Sequence, residues 1–384
     1  MTTAPPVKEM VEKLVSIPSI SSTLDQFDQS NLDVVHTLAS WLEPLGFNIA
    51  IKPIPGRPNK ANLIATRGEG SGALVLSGHT DTVPFDGHLW QSDPFRLTEQ
   101  GDRWYGLGSC DMKSFFALAI AAVEPFGATQ FEHPLILLAT ADEESSMSGA
   151  RALTAAELCD ARFALIGEPT GLKPVTRHKG IMMLGVTVEG HSGHSSNPAL
   201  GKNALDGIGT IIQELGNFRE QLKQKYCQPA FEVAWPTLNL GCIQGGDNPN
   251  RICDHVKLEF DVRVLPGMEN DHIRDEIAKF LIPKLEAQGM QCRVELLHPS
   301  VPPFESVGED LLATTRELTG HDECAVAFAT EAPFLADLGM QTVVLGPGSI
   351  NQAHQPNEYI ELNQVSATID IIRGLIKKYC LPSA

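Results

Sequence analysis

Four short segments of this 384-residue sequence place histidine or acids just after an apolar run. Gly78-His79-Thr80-Asp81 follows the run 73–77, and Thr140-Ala141-Asp142-Glu143-Glu144 follows 134–139. Gly167-Glu168-Pro169 follows 163–166, and Gly346-Pro347-Gly348-Ser349, with His354 a few residues on, follows 341–345. Short apolar runs bounded by turn residues read as buried strands. Open α/β sheets bind ligands beyond the carboxyl ends of their strands. Imidazole nitrogens and carboxylate oxygens on one such rim are the donor set of a divalent cation.

Taken singly, each piece has an ordinary explanation. Twelve histidines and 47 acids give about 1.5 His-x-acid matches by chance, and the sequence has two, His79/Asp81 and His321/Glu323. His79 alone reads as a loop histidine, Glu143-Glu144 as a solvated charge pair, Glu168 before a proline as a turn carboxylate, and His354 as a loop residue. Convergence on one rim shifts the balance, because solvated charges need not collect there. The segment from Tyr105 to Lys113 joins the set. As a phosphate loop it fails, since Asp111 stands where a third glycine is needed and no Gly-Lys-Ser/Thr is present. As a flexible turn before a helix, it delivers Asp111 to a cation between His79 and Glu144.

Helical periodicity separates these strands. Amphipathic or apolar stretches at 31–45, 113–123, 149–158 and 363–377 alternate with them, the pattern of an α/β sheet. Ser30 with Asp33 resembles a capping box for the first. From about Lys179 the pattern changes. Residues 180–189 and 257–264 alternate as half-buried antiparallel strands, 291–297 is a further strand, and long helices are expected near 204–226 and 271–287. The expected fold class is therefore α/β: a mixed, largely parallel sheet sandwiched by helices, formed by residues 1–178 and 298–384. A smaller α+β domain, 179–297, is inserted into it.

Composition bounds the partners. Lys and Arg total 29 against 47 Asp and Glu, a net charge of −18. So acidic a surface repels a phosphate backbone, which argues against nucleic-acid binding. The start, MTTAPPVKEMVEKL, has no basic segment followed by an apolar run. The longest strongly apolar run, 115–123, is about half of the ~20 residues a membrane span needs. Eight cysteines without a CxxC pair read as scattered thiols in a reducing compartment. A cytoplasmic protein with no membrane partner is expected.

Together, Gly78-His79-Thr80-Asp81-Thr82-Val83-Pro84, Gly106-Leu107-Gly108 to Asp111-Met112-Lys113, Ala141-Asp142-Glu143-Glu144, Gly167-Glu168-Pro169 and a C-terminal histidine resemble the dinuclear zinc aminoacylase and aminopeptidase family. That family includes acetylornithine deacetylase, succinyl-diaminopimelate desuccinylase and carboxypeptidases. The resemblance covers essentially the whole chain, with five separated motifs in order. Residues 81–86 and 346–356 look most like the acetylornithine deacetylase branch.

The resemblance implies a site. His79 and Glu168 would hold one metal, Glu144 and His354 the other, with Asp111 bridging. Two divalent ions per subunit are implied, zinc first, with cobalt or manganese able to substitute. Their charge would lower the pKa of a water held between them to about 7. Glu143 would be the general base. Asp81 would hold the second imidazole N–H of His79, its alternative being a turn residue before Thr82 and Pro84. The inserted domain would be a lid and dimerisation domain. In it His194 would donate to the oxyanion in the partner subunit's site, with His191 its competitor. Asn250 and Arg263 would hold the substrate carboxylate, with Arg251 a rival.

The implied reaction is hydrolysis of N2-acetyl-L-ornithine to L-ornithine and acetate, a step of arginine biosynthesis, by a homodimer acting on a small acyl amino acid. The alternative is another acyl-amino-acid hydrolase of the family: a succinyl-diaminopimelate desuccinylase, an aminoacylase or a dipeptidase. A metal-stabilised binding protein without turnover is a rival of another class, and it would have no use for Glu143.

Overall fold

The structure, a computed structural model, describes residues 4–127 and 129–382. It divides into two compact units. One comprises Met1–Thr176, Ser306–Cys324 and Thr330–Ala384; the other comprises Arg177–Glu305 and Ala325–Ala329. The second unit runs past residue 297 because the chain there stays bound to it. Val301 and Ile181 exchange backbone hydrogen bonds of 2.9 Å, and Asn270 donates to the Val301 carbonyl at 2.8 Å.

The first unit is built on a mixed sheet whose centre is parallel. Strand Leu74–His79 lies between Leu135–Thr140 and Phe163–Ile166, and Gln341–Val344 follows beyond Phe163–Ile166, all parallel. On the other flank Arg57–Arg67 and Asn48–Ile54 add antiparallel strands. The four central strands are buried almost throughout, which is why they read as continuous apolar runs. The chain passes from Leu74–His79 to a neighbour on one side and then to a neighbour on the other. The crevice of such a sheet opens beyond the carboxyl end of that central strand, at His79.

Helix Ser114–Val123 is buried at all ten positions. It packs with helix Leu362–Tyr379 in one apolar cluster that also holds Leu74, Leu76, Leu137 and Leu165. At roughly 1.5–3 kcal/mol for each large side chain buried, the longest apolar run of the sequence serves as core. Among the described residues no helix is long and apolar enough to cross a membrane.

Two local expectations fail. The helix expected at 149–158 is only Ser148–Arg151, followed by a separate 3-10 turn at Ala156–Leu158. Tertiary packing overrides propensity here. A Cβ on Gly149 would lie 2.5 Å from the Ala141 amide nitrogen and carbonyl oxygen, so the turn is docked on the strand end and cannot continue as an amphipathic rod. The capping box also fails. The Ser30 hydroxyl accepts from the Leu32 amide, and the N-cap residue is Asn31, whose side chain instead pairs with the Ala61 backbone.

The second unit is an antiparallel four-stranded sheet in the order Thr237–Gly245, His255–Val264, Gly180–Glu189, Gln291–Leu296. Helices Ala204–Lys225 and Asn270–Glu286 cover it through Ile208, Ile211, Leu215, Ile273, Ile277 and Leu281. Alternating burial along His255–Val264 accounts for the period-two pattern of its sequence.

Candidate metal centre

Strand register assembles the site. His79 pairs with Thr140 across the parallel ladder, so the turns 80–81 and 141–144 leave the sheet side by side. Ser77 pairs with Ile166, and the Gly167 amide donates to the Ser77 carbonyl at 3.0 Å, which brings Glu168 level with His79. Asp111 arrives from the loop ahead of helix Ser114–Val123, and His354 from the loop before strand Tyr359–Glu361.

The five predicted ligands meet there. His79 Nε2 lies 3.0 Å from Asp111 Oδ1 and 3.7 Å from Glu168 Oε1. His354 Nε2 lies 3.0 Å from Glu144 Oε2 and 3.6 Å from Asp111 Oδ2. Asp111 thus turns one oxygen to each histidine, the placement a bridging carboxylate requires. Donor atoms of His79, Asp111 and Glu144 lie within 4.8 Å of one another, as do those of His79, Glu143 and Glu168. His79, Asp111, Glu143 and Glu168 are buried, whereas His354 is exposed.

Asp81 does something other than the expected imidazole contact. The His79 Nδ1 faces the Asp81 backbone carbonyl at 3.0 Å, while the Asp81 carboxylate oxygen is 3.7 Å away. A carbonyl can only accept, so a neutral His79 carries its proton on Nδ1 and turns the Nε2 lone pair to the cluster. The Asp81 carboxylate instead accepts the amides of Glu143 at 3.3 Å and Glu144 at 3.1 Å, fixing the acidic turn. Asp142 begins that turn with φ of 58°, a left-handed conformation that aspartate tolerates better than most residues. Its own charge is met by Lys60 Nζ at 2.8 Å and by the hydroxyls of Ser21 and Ser148.

Electrostatics fit a dication pair. Burial, then repulsion from Glu168, pushes Glu143 well above the usual carboxylate range. Burial, then repulsion from Asp111, does the same to Glu168. Burial alone would lower His79, yet the Asp111 hydrogen bond and the Glu168 and Glu143 charges raise it well above normal. Glu144 raises His354 to about 9. Burial raises Asp111 as well, but the His79 hydrogen bond and the His79 and His354 charges hold it below the usual carboxylate range, so Asp111 is the carboxylate that stays charged between the two histidines. Glu168 Oε1 is buried without a hydrogen-bond partner among the described residues, a cost that a cation would remove. The donor set of two imidazoles and three carboxylates suits zinc, cobalt or manganese.

Other buried charged residues near the site had no sequence signal. Lys60 and Glu331 are almost fully buried, and burial pushes the Glu331 carboxyl up to about 7. Glu358 accepts three loop amides around Asp111. A lone acid or lysine outside a motif looks like surface charge until its burial is known.

His194, Asn250 and Arg263 belong to the second unit. Exposed His194 Nδ1 meets Ser196 Oγ at 2.7 Å, and the Ser195 amide donates to the Asn250 carbonyl at 3.1 Å, so these two candidates share one loop cluster. Arg251 bridges backbone with His194 and pairs with Asp247. Arg263 stands apart on strand His255–Val264, where Asp261 holds it at 2.9 Å. His191 is exposed, and its backbone pairs with Lys202.

Comparison with known proteins identifies the family. Residues 75–378 match the model of peptidase family M20/M25/M40. A tripeptidase from Staphylococcus aureus superposes with a TM-score of 0.77 at 18% identity, covering 97% of each chain. The M20 family metallo-carboxypeptidase Sso-CP2 from Sulfolobus solfataricus gives 0.75 at 18% identity, covering 97% of this chain and 99% of that one. A Bacillus subtilis protein described as a dinuclear metal-binding M20 peptidase gives 0.70 at 15%, covering 97% and 98%. At these identities the likeness shows the fold, and the family match covers most of the sequence. The chain belongs to peptidase family M20/M25/M40, hydrolases of peptide and amide bonds.

Proposed function

We propose that this protein is a two-metal amide hydrolase that deacetylates N2-acetyl-L-ornithine, serving arginine synthesis. The observation that carries the metal-dependent chemistry is the meeting of His79, Asp111, Glu144, Glu168 and His354 around one carboxylate, with Glu143 beside them. His79 and Glu168 would hold one ion and Glu144 and His354 the other, with Asp111 between. A bound cation pair supplies Lewis-acid charge that polarises the substrate carbonyl and eases deprotonation of water.

Glu143 accepts the water proton and passes it to the departing amine nitrogen. Its position favours this shuttle, because Glu143 is buried with a carboxylate oxygen within 4.8 Å of donor atoms of His79 and Glu168. Asp81 keeps Glu143 in place through the backbone amides it accepts. In the same reading His194 donates to the oxyanion from the partner copy of a homodimer, and Asn250 and Arg263 bind the substrate carboxylate. Planar guanidinium suits that last task.

The acyl group and amine rest on the likeness of residues 81–86 and 346–356 to one branch of the family. The test compares kcat/KM for N2-acetyl-L-ornithine, N-succinyl-diaminopimelate and a dipeptide with the zinc-loaded enzyme. Preference for acetylornithine by tenfold or more, as an order of magnitude in transition-state selectivity, is expected. Preference for either competitor overturns the deacetylase assignment and leaves the amide-hydrolase reading standing.

A further inference from the structure

Asp111 sits in a loop whose amides at Gly108, Cys110 and Asp111 itself all donate to one side chain, Glu358. Residues 106–113 connect strand Arg103–Tyr105 to helix Ser114–Val123. Gly108 has φ of 78°, and a Cβ there would lie 2.6 Å from Lys113 Cε and 2.9 Å from Thr82 Cγ2. The loop turns three amides toward one point. Glu358 fills it: Oε2 accepts from the Gly108 amide at 3.0 Å, and Oε1 accepts from the Cys110 and Asp111 amides at 2.7 and 2.9 Å. The Glu358 carbonyl also accepts from the Gly106 amide at 3.0 Å. Successive backbone N–H groups that converge this way form an anion-binding concavity, here occupied by the protein's own carboxyl.

The origin of that carboxyl matters. Glu358 is four residues after His354 and immediately precedes strand Tyr359–Glu361, which pairs with Arg103–Tyr105. One segment therefore carries a ligand of one ion and grips, by side chain and backbone, the loop bearing the carboxylate expected between both. Glu358 is 2% exposed, and Gly108, Cys110 and Asp111 are buried with it.

We propose that Glu358 is a positioning residue that sets Asp111 between the two metal positions and ties it to the His354 segment. This rests on the two-metal reading above. Without the grip the Asp111 loop still connects the same elements, but its carboxylate is no longer aimed. Removing such a supporting partner typically costs ten- to a hundredfold in metal affinity.

The test uses full-length protein stripped with a chelator and titrated calorimetrically with zinc, beside thermal unfolding of the metal-free form. Wild type, Glu358→Gln and Glu358→Ala are compared. Glutamine keeps one oxygen for two amides but turns an NH2 group toward a third, so about a tenfold weakening is expected, and about a hundredfold for alanine. Both variants should still fold without metal, with melting temperatures lowered by roughly 5–10 °C because buried amides lose an acceptor. Rank order of zinc affinity, wild type above glutamine above alanine, is a readout that a purely structural role would not produce. Folded variants that bind two zinc ions with wild-type affinity overturn the proposal. Collapse of both variants as metal-free proteins assigns Glu358 to folding and overturns it too. If wild type itself fails to bind two ions, the two-metal reading falls instead, a result distinct from either.

Discussion

In the proposed reaction Glu143 is the general base that moves the proton. It lies within ligand distance of His79 and Glu168, yet its neighbour Glu144 is the acid paired with His354. Glu143→Gln keeps the shape and removes the base. We expect such a variant to retain two zinc ions per chain by elemental analysis and to lose roughly 10²–10⁴ in kcat. Near-normal turnover would remove Glu143 from the proton path, and loss of zinc would make it a ligand. The residue types and spacing of the motifs made these groups legible in the sequence. The role of Asp81 was not legible, because whether a carboxylate meets a ring nitrogen or two amides depends on angles that no spacing encodes. Lys60, Glu331 and Glu358 were hidden for a related reason: burial, not identity, makes them matter.

At the scale of elements, apolar runs marked the central strands because both faces of a parallel strand are covered. The hairpin Asn48–Ile54 with Arg57–Arg67 escaped, since its Lys, Asn and Pro residues break the run. Strand Val175–His178 escaped likewise and carries a titration of its own. The His178 imidazole is fully buried, its Nδ1 faces the Lys179 carbonyl at 2.9 Å, and its ring packs on Phe304 at 5.3 Å. Burial lowers its pKa to about 4. The unfolded chain, with an ordinary imidazole, therefore binds more protons between pH 6.5 and 4. The stability contributed by neutral His178 is complete above about pH 6.5 and falls as pH drops toward 4, by about 3 kcal/mol at most. Thermal unfolding of wild type and His178→Phe across that range should show the difference between them shrinking or reversing in acid. A constant difference would mean that His178 is not buried as the neutral form.

For the whole molecule, alternation of strand and helix patterns announced an α/β unit and the change near Lys179 announced a second one. The end of the second unit was illegible because residues 298–305 contain no strand pattern of useful length, and long-range contacts of Val301 hold them there. The net charge of −18 has a local counterpart at the site, where Asp111, Glu143, Glu144 and Glu168 outnumber His79 and His354 and cations would supply the balancing charge. Everything about activity depends on whether two cations supply it. The direct measurement is a crystal of zinc-loaded protein with anomalous scattering recorded at the zinc edge. Two peaks are expected, one on each side of Asp111, the first against His79 and Glu168 and the second against Glu144 and His354. A single peak, or zinc bound away from these five side chains, would contradict the account.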